Sequence, residues 1–291
     1  MAKRTHSTRH KQKPGWIILR HVFTYFFLFF GVLVAIYPFF WMISTSLMSL
    51  GESMGTRMLP SEIHFENYVD AWNEADFSLY MWNSTRITIM TLAGELTFSI
   101  LAAYAFARIK FPGRDLIFTI LLSTMMIPAM VTIIPNFLTV TWLGRIGPFA
   151  WINNWPALTI PFMGSVFSIF LLRQFFAQIP DELYDAIQID GGGHLHFLWN
   201  VVLPLSKAPV MVIIVLSFIG TWNSLAWPML VTNSPEWRPI AVGLYSFIGE
   251  AGQMLNLMMA GAFIAVIPIL ILYFFTQKQF TESIARSGLK G

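Results

Sequence analysis

The side chains of this chain that could do chemistry are concentrated in one short polar stretch, residues 179–204. Its four carboxylates are Asp181, Glu182, Asp185 and Asp190. A pair of carboxylates serves glycoside hydrolysis only where both flank a sugar in a cleft, which a short surface loop does not provide. His194 and His196 are two residues apart, so they do not share a helix face, and no further ligands are spaced for zinc. We therefore expect neither catalytic residues nor a metal site here.

Nucleotide and cysteine chemistry are excluded as well. Gly191-Gly192-Gly193 lacks the strand-turn-helix context of a phosphate-binding loop, and no Gly-x-x-x-x-Gly-Lys-Ser/Thr motif occurs anywhere in the sequence. The chain contains no cysteine, which rules out disulfides, thiolate metal sites and cysteine nucleophiles. If this protein uses ATP, another polypeptide must hydrolyse it.

The polar stretch predicts a short amphipathic helix. Pro180 suits the first helical position, where its missing N–H costs nothing, and Asp181 and Glu182 then place carboxylates at the positive end of the helix dipole. Asp185 and Gln188 lie off an apolar stripe. The stripe consists of Leu183, Ala186 and Ile187. A helix of about ten residues is marginal alone, so the stripe needs a surface to pack on, either a soluble partner or lipid.

A sharp turn and a second helix follow the first. Gly191 predicts a left-handed stop, and two more glycines allow the backbone to turn. A second helical stretch over 194–202 is predicted to end before Leu203-Pro204. The unit is therefore helix, glycine turn, helix, between long apolar segments.

The composition places this unit in a membrane protein. Of 291 residues, 56% are hydrophobic and 11% are charged, against about 25% charged in a soluble domain. Six apolar runs are long enough to cross a hydrocarbon core of about 30 Å. They are Ile17–Thr45, Arg86–Ala107, Leu116–Val140, Ala157–Phe176, Ala208–Leu230 and Leu255–Thr276. The predicted fold class is all-α, a polytopic membrane protein with six transmembrane helices surrounded by membrane lipid.

Basic residues predict the orientation. Of the 18 Lys and Arg residues, only Arg57, Arg86, Arg145 and Arg238 fall outside if the N-terminus is inside, so both termini are expected to be cytoplasmic. This topology explains the positive charge, and no nucleic acid is needed as a partner. The predicted layout is a cytoplasmic tail 1–16, a transmembrane domain 17–276 with cytoplasmic loop 177–207 and outer loops 47–85 and 231–254, and a cytoplasmic tail 277–291.

The polar stretch resembles the cytoplasmic coupling loop of binding-protein-dependent ABC importer permeases. That signature reads Glu-Ala-Ala-x-x-x-Gly, followed later by aliphatic-x-Leu-Pro. The matching residues here are Asp185-Ala186-Ile187, Gly191 and Val201-Val202-Leu203-Pro204. Ile179-Pro180 and Ile189-Asp190-Gly191 match its extended form in sugar permeases. Asp185 and Ile187 depart from the pattern; Asp185 keeps the charge, whereas Ile187 is bulkier and implies a partner groove specific to this chain.

The resemblance extends from residue 17 to the C-terminus. Ala103-Tyr104-Ala105-Phe106-Ala107-Arg108, Trp222-Asn223, Trp227-Pro228 and the long first outer loop are similar to maltose-type sugar permeases. As a whole, the chain most resembles the permease subunits of bacterial alginate importers. The resemblance implies an inner-membrane subunit that imports an oligosaccharide, alginate or its oligomers among the candidates. It implies no enzyme activity and no cofactor bound by this chain.

The resemblance also implies partners and roles. These are a second related permease, two ATP-binding subunits that hold ATP and Mg²⁺, and a periplasmic or extracellular substrate-binding protein. ATP-driven closure of the ATPases would move the coupling helix and switch the bundle between inward-open and outward-open states. The tail 277–291 would reach the ATPases and the loop 231–254 would reach the binding protein. The residues expected at the ATPase contact are Asp181, Glu182, Leu183, Asp185, Ala186, Ile187, Asp190, Gly191, Leu203 and Pro204.

Four residues within the predicted spans are candidates for the translocation path: Glu95, Asn136, Trp222 and Asn223. An ionisable group near the middle of a membrane helix marks a functional position by default. The alternative, which we slightly favour, is that Glu95 is a packing carboxyl bonded to Ser or Thr neighbours. Trp222 and Trp227 could stack on sugar rings, although tryptophan is also ordinary at a membrane interface. Arg86 becomes relevant if the substrate is acidic.

Two other classes of membrane protein compete with this hypothesis. A secondary transporter driven by an ion gradient would be expected to show several intramembrane carboxylates or two related halves; Glu95 stands alone and no repeat is visible. A membrane-embedded enzyme would need a clustered Ser/His, two-Asp or metal-ligand set at membrane depth, and none occurs in the sequence.

Overall fold

The computed structural model describes residues 14–74, 76–147, 150–249 and 252–288. Nearly all of them are helical, which confirms the all-α fold class. The α-helices are α1 (Pro14–Ser46), α2 (Leu50–Ser53), α3 (Glu66–Glu74), α4 (Phe77–Arg108), α5 (Arg114–Thr124), α6 (Ala129–Ile146), α7 (Trp155–Thr159), α8 (Val166–Phe176), α9 (Glu182–Ile189), α10 (His194–Phe197), α11 (Leu203–Leu205), α12 (Lys207–Trp222), α13 (Ala226–Val231), α14 (Ile240–Tyr245) and α15 (Leu255–Gly288). The remaining elements are 3₁₀ helices at Ile160–Phe162 and Pro235–Trp237, a π-helix at Leu198–Val202, and strands β1 (Ile248–Gly249) and β2 (Gly252–Gln253) paired as a hairpin.

The membrane spans agree with the predicted number. Among the described residues, five helical stretches are long and apolar enough to cross a membrane, and a bent pair makes a sixth. The five are Arg20–Ser46, Phe77–Arg108, Ala129–Ile146, Trp155–Phe176 and Leu255–Gln277. In the bent pair, His194–Leu205 and Lys207–Trp222 meet at 79°. The prediction of a six-helix polytopic protein is therefore confirmed.

Three of the predicted spans are interrupted rather than continuous. The third breaks at 125–128 between α5 and α6, the fourth at 160–165 between α7 and α8, and the fifth at 223–225 between α12 and α13. Pro128, Pro161 and Pro228 lie in or beside these breaks, since proline removes a backbone donor from the helix. Pro38, Pro135 and Pro268, in contrast, lie inside α1, α6 and α15 without ending them.

Helix ends also differ from the prediction. α4 begins at Phe77 rather than at Arg86, so the first outer loop is shorter than 47–85. α15 continues to Gly288, so most of the predicted tail 277–291 is helical. Residues 1–13 of the predicted N-terminal tail and residues 289–291 lie outside the described residues.

The bundle is organised around α4, which contacts α3, α5, α7, α8, α12 and α14, while α1 packs against α15. One buried cluster lies at the Arg108 end of α4 and is called the Phe197 cluster here. It consists of Ala103, Tyr104, Leu172, Phe176, Ile179, Phe197, Leu198, Val202 and Ile213. A second cluster, around Phe77 and Trp222, lies towards the other end of α4.

Two helices leave large apolar surfaces uncovered. The side chains of α1 are exposed from Arg20 to Phe40, and most of α6 is exposed too, with Met130 among its most accessible side chains. Exposed apolar area on this scale is typical of surfaces that face lipid or another subunit. Both helices therefore belong to the outside of the bundle.

Candidate functional site

The predicted amphipathic helix is present as α9, at the Arg108 end of the bundle. It begins at Glu182, not at Pro180 as predicted, with Asp181 at the N-cap position. The Asp181 carboxylate makes no capping bond because it pairs with the Arg108 guanidinium, which also donates to the Ile179 carbonyl. An ion pair to the end of α4 thus replaces the local cap and fixes the start of α9 to the bundle.

The predicted apolar stripe of α9 is divided between two faces. Tyr184 and Ile187 pack against the Phe197 cluster, whereas Leu183 and Ala186 are exposed. Ile189, one turn beyond Ala186, is 87% exposed. Grouping Leu183 and Ala186 with Ile187 on one face was wrong, because Tyr184, which is amphipathic, takes the inward position. The outward face of α9 is left without a packing partner among the described residues.

The glycine turn after α9 is confirmed. Gly191 has φ +81°, in the left-handed region that favours glycine. A Cβ atom at Gly191 would meet nothing within 4 Å, so only the backbone conformation requires glycine. At Gly192 the reason differs, because a Cβ atom there would lie 2.6 Å from Ile187 Cγ2.

The second helix runs further than predicted. α10, the π-helix 198–202 and α11 form one continuous helical run, so the expected end before Leu203-Pro204 was wrong. Leu203 N donates to Leu198 O across the wider π turn, and Pro204, which has no N–H to donate, follows directly. The chain then bends by 79° into α12. The helices from α9 to α11 (residues 182–205, called the docking unit here) therefore lead directly into a membrane helix.

His194 joins the docking unit to α4. Its Nδ1 lies 2.9 Å from the Tyr104 hydroxyl and its Nε2 lies 3.1 Å from the Tyr184 hydroxyl. The His194 and Tyr184 rings stack, with centroids 4.8 Å apart. At the level of sequence, this histidine was considered only as a metal ligand. No sequence signal could have revealed the bridge, because Tyr104 is distant in the chain.

Glu95 lines a cavity of about 340 Å³ between α4, the segment 158–165 that precedes α8, α12 and α13. Its carboxylate accepts hydrogen bonds from Ser168 Oγ, at 2.7 Å, and from Ser217 Oγ. The structure shows the packing carboxyl bonded to serine, which joins three helices. The carboxyl also faces a cavity, and its role in the translocation path stays a prediction. The other lining residues are Ser84, Ile87, Thr91, Leu158, Pro161, Phe162, Gly164, Ser165, Ser217, Gly220, Thr221, Ser224, Trp227, Pro228 and Pro239.

A buried polar stripe runs along α4 and includes Glu95. Its members are Ser84, Thr88, Thr91, Glu95 and Ser99, none more than 7% exposed. Spacings of three and four residues put them on one helix face. The hydroxyls of Thr88, Thr91 and Ser99 have no hydrogen-bond partner among the described residues. Sequence reasoning identified only Glu95, although the regular spacing of small hydroxyl residues was a signal for the whole stripe.

The other three path candidates lie away from this cavity. Asn136 is exposed on α6, and Asn223 is exposed at the end of α12, where its side chain donates to Ile219 O. Trp222 is buried and donates to Ala265 O at 3.0 Å. Trp227 does line the cavity. The cavity is therefore not lined by any of these three candidates: Trp222 lies in the core, and Asn136 and Asn223 lie on the surface of the chain.

Arg86 is occupied by the loop that the sequence predicts to be the second outer loop. Its Nη2 donates to Asn83 Oδ1 at 2.5 Å and to Glu236 O at 2.6 Å. The guanidinium lies over the Trp237 ring, 3.6 Å from the centroid. Asn83 also donates to Pro235 O and Arg238 O. Arg86 therefore holds the loop 234–239 against α4.

Hydrogen-bonded charged side chains also lie in the predicted first outer loop. His64 Nδ1 lies 2.5 Å from Glu66 Oε1, and this hydrogen bond raises the pKa of His64 and lowers the pKa of Glu66. Hydrogen bonds from Ser61 similarly lower the pKa of Glu52. Both carboxylates therefore stay ionised to lower pH than usual. Within the described residues, no group of three His, Cys, Asp or Glu residues could hold a metal ion.

Comparison with known proteins decides the family. Residues 95–283 match the family described as binding-protein-dependent transport system inner membrane component. This chain belongs to that family. The matched part of this inner membrane component begins at Glu95 and contains the whole docking unit. The expected family is therefore confirmed, and a gradient-driven carrier finds no support.

Relatives of this inner membrane component are transport permeases. It is 31% identical over 278 residues to the sn-glycerol-3-phosphate transport system permease protein UgpE of Yersinia enterocolitica, covering 91% of this chain and 96% of the relative. The UgpE protein of Brucella abortus is 28% identical over 288 residues, covering 95% and 99%. This component is thus similar to those permeases along almost its whole length.

Solved structures agree on the fold. A chain of a bacterial ABC transporter involved in the import of the acidic polysaccharide alginate superposes with a TM-score of 0.80 at 26% identity, covering 92% of this inner membrane component and 98% of that chain. A chain of an alginate ABC transporter in complex with an alginate pentasaccharide-bound periplasmic protein has a TM-score of 0.65 at 15% identity and supports the fold alone.

Proposed function

We propose that this chain is one of two permease subunits in an ATP-driven importer, and that it forms half of the translocation pathway. A second, related permease supplies the other half. Two ATP-binding subunits hold ATP and Mg²⁺, this chain binds no cofactor of its own, and a substrate-binding protein delivers the substrate. The observation that carries the proposal is the two-sided α9, whose inner face is tied to the bundle while its outer face is free.

The outer face of α9 is the proposed contact with an ATP-binding subunit. Leu183, Ala186 and Ile189 supply exposed apolar area, and Glu182 and Asp185 supply charge beside it. Apolar anchors ringed by polar groups are what a specific protein interface needs. Gly191, Leu203 and Pro204 shape the turn and the second helix behind this face. Asp181 and Asp190 flank α9, with Asp181 held by Arg108.

The same contacts provide a route for movement from α9 to the cavity. Arg108 and Tyr104, which hold the docking unit, lie on α4, and so do Thr91 and Glu95 in the cavity wall. The docking unit also continues into α12, which contributes Ser217 and Thr221 to that wall. A displacement of α9 would therefore shift two walls of the cavity together, as alternating access requires.

The proposed substrate is an oligosaccharide, with alginate or its oligomers as the first candidate. Support comes from the 0.80 TM-score to a chain of an alginate importer. The relatives named for sn-glycerol 3-phosphate point to a second polyhydroxylated anion. The alginate importer and the UgpE permeases are both named for anionic molecules that carry hydroxyl groups. Together, the two names narrow the substrate class expected for this chain more than either name alone.

Cysteine cross-linking tests this function. Because the native chain has no cysteine, a single Ala186→Cys substitution gives one defined thiol on the exposed face of α9. In the complex purified with its partners, we expect it to cross-link to an ATP-binding subunit, with a yield that changes when ATP is added. Ala177→Cys, exposed but outside α9, is the matched control. Purification of the tagged chain without any ATP-binding subunit would contradict the proposal.

A further inference from the structure

The cavity wall combines hydroxyls with a single carboxylate. Six of its lining residues carry hydroxyl groups: Ser84, Thr91, Ser165, Ser217, Thr221 and Ser224. Glu95 is the one acidic residue of the lining. The cavity volume of about 340 Å³ falls within the range of small-molecule pockets, about 300–1,000 Å³. A space of this size with polar groups converging on it is suited to a ligand that forms several hydrogen bonds.

Two groups in the wall have unused hydrogen-bonding capacity. Thr91 is 1% exposed, and its hydroxyl has no partner among the described residues. Glu95, one turn further along α4, accepts from Ser168 and Ser217, but a carboxylate offers about four acceptor sites. Buried polar groups are normally paired, and in the cavity wall this hydroxyl and the remaining acceptor sites of the carboxylate are available to a ligand. Residues four apart on a helix are neighbours, so a ligand whose hydroxyl donates to Glu95 also lies near Thr91.

The aromatic part of the wall offers ring surface only. Trp227 is buried, and its Nε1 donates to Ala157 O at 2.9 Å, so its single donor is already used. Phe162 meets Trp227 edge to face, with centroids 5.7 Å apart. Apolar surface combined with a few directed polar groups fits a sugar ring, whose C–H faces are apolar and whose edges carry hydroxyls.

Nothing in the wall balances a negative charge. Among the lining residues, all of them in the described part of the chain, none is Lys, Arg or His. Arg86 is used by the outer loop, and Arg238 precedes the lining residue Pro239 without lining the cavity itself. An anionic group in this space would find no basic side chain to pair with, and an unpaired buried charge is costly.

We propose that this cavity is a subsite for the uncharged, hydroxylated face of a sugar, and that Glu95 keeps anionic groups out of it. The carboxylates or phosphate of an acidic substrate must then be met outside this cavity. This inference rests on the proposed function as a permease. It places recognition of the substrate's hydroxyl groups in this cavity and recognition of the substrate's charge elsewhere in the importer.

The charge of the cavity is tested first. Ser224→Cys places a nearly isosteric thiol in the wall of a chain without other cysteines. In the complete importer, we expect a cationic methanethiosulfonate reagent to label it faster than an anionic one. Glu95→Gln should lower that rate ratio about tenfold, as expected when one unit charge at close range is removed. The ratio at Ala177→Cys should stay unchanged.

The hydroxyl subsite is tested by protection. A carboxyl-reduced, uncharged alginate pentasaccharide should slow labelling of Ser224→Cys. Thr91→Val should raise the concentration needed for half-protection about threefold to tenfold, the usual effect of one hydrogen bond. Thr91→Ser keeps the hydroxyl and should restore protection. Ser168→Ala, which removes a donor to Glu95 from outside the lining set, should leave the charge ratio unaltered.

The outcomes separate this inference from the proposed function. Suppose that ATP-driven uptake is intact. If Glu95→Gln then leaves the ratio of cationic to anionic labelling rates unchanged, or Thr91→Val leaves the concentration for half-protection unchanged, the subsite is wrong and the permease function stands. Failure of Ser224→Cys to react with either reagent would also overturn the subsite. If the wild-type complex shows no ATP-driven uptake, the proposed function fails and the subsite falls with it.

Discussion

At the scale of single residues, His194 shows how one side chain can join α9 to the bundle with few contacts. Its ring bonds to the Tyr104 hydroxyl at one nitrogen and to the Tyr184 hydroxyl at the other. A neutral imidazole donates from one nitrogen and accepts at the other, so both contacts can be made without charge. His194 thus positions α9 relative to α4.

Loss of this bridge should weaken coupling rather than folding. We expect His194→Ala to leave the complex assembled and the ATPase active, while the sugar transported per ATP hydrolysed falls about threefold to tenfold, as for the loss of one or two hydrogen bonds. Parallel measurement of uptake and ATPase activity in proteoliposomes checks this. His196→Ala, two residues along, is the control and should behave as wild type. Equal coupling ratios in both variants would show that the bridge is dispensable.

The residues also show the limit of sequence reasoning. Glu95 was identified correctly as an unusual group in a membrane helix, because one ionisable side chain among apolar neighbours is visible in one dimension. Its partners Ser168 and Ser217 were not predicted, because they come from α8 and α12. Which apolar residues of α9 face inward could not be predicted either, since Tyr184 competes with Leu183 for that position and only the tertiary surface decides.

At the scale of elements, the Gly191 turn determines the angle between the two helices of the docking unit. With φ +81°, any residue with a Cβ atom pays about 1–2 kcal/mol for this conformation. Asparagine tolerates it best among the others. Since a Cβ atom here would collide with nothing, backbone strain is the only cost, and it acts on the turn rather than on the bundle.

A bulky substitution in this turn should therefore uncouple the importer without unfolding it. We expect Gly191→Val to retain ATPase activity and normal thermal stability of the bundle but to lose most substrate transport, because α9 is displaced relative to α10. Gly191→Asn should keep a substantial part of transport. The comparison requires uptake, ATPase activity and a melting curve for both variants. Normal transport by Gly191→Val would contradict this role for the turn.

Elements were predicted best where periodicity alone determines them. The number of apolar spans, the short amphipathic helix and the glycine turn all follow from local sequence. The breaks within spans do not follow from local sequence. Helices continue through Pro135 and Pro268, whereas Pro128 and Pro161 lie at interruptions. The difference depends on whether neighbouring groups satisfy the backbone that proline frees. The π turn before Pro204 has the same origin, since a wider turn accommodates the missing donor.

At the scale of the whole molecule, the two ends of the bundle differ in charge and in content. One end carries Arg108, Arg173 and the docking unit, and the other carries Arg86, Trp237 and the outer loops. Asn67 donates to Ser46 O and accepts from Asn256, which puts the end of α1 and the start of α15 together at the second end. The N-terminal start of α1 and the C-terminal end of α15 therefore point towards the end that holds the docking unit.

This arrangement makes the orientation in the membrane a single testable choice. The excess of basic residues on one side predicts that the docking unit and both termini are cytoplasmic. Asp70, exposed on α3, and Ala177, exposed after α8, belong to opposite ends of the bundle. In intact cells, a membrane-impermeant maleimide should label Asp70→Cys. Where an outer membrane blocks access, spheroplasts replace intact cells. Ala177→Cys should react only after the inner membrane is opened. The cysteine-free parent gives the background. The reverse pattern would place the docking unit outside, where no ATP is available, and would remove the basis for an ATP-driven importer.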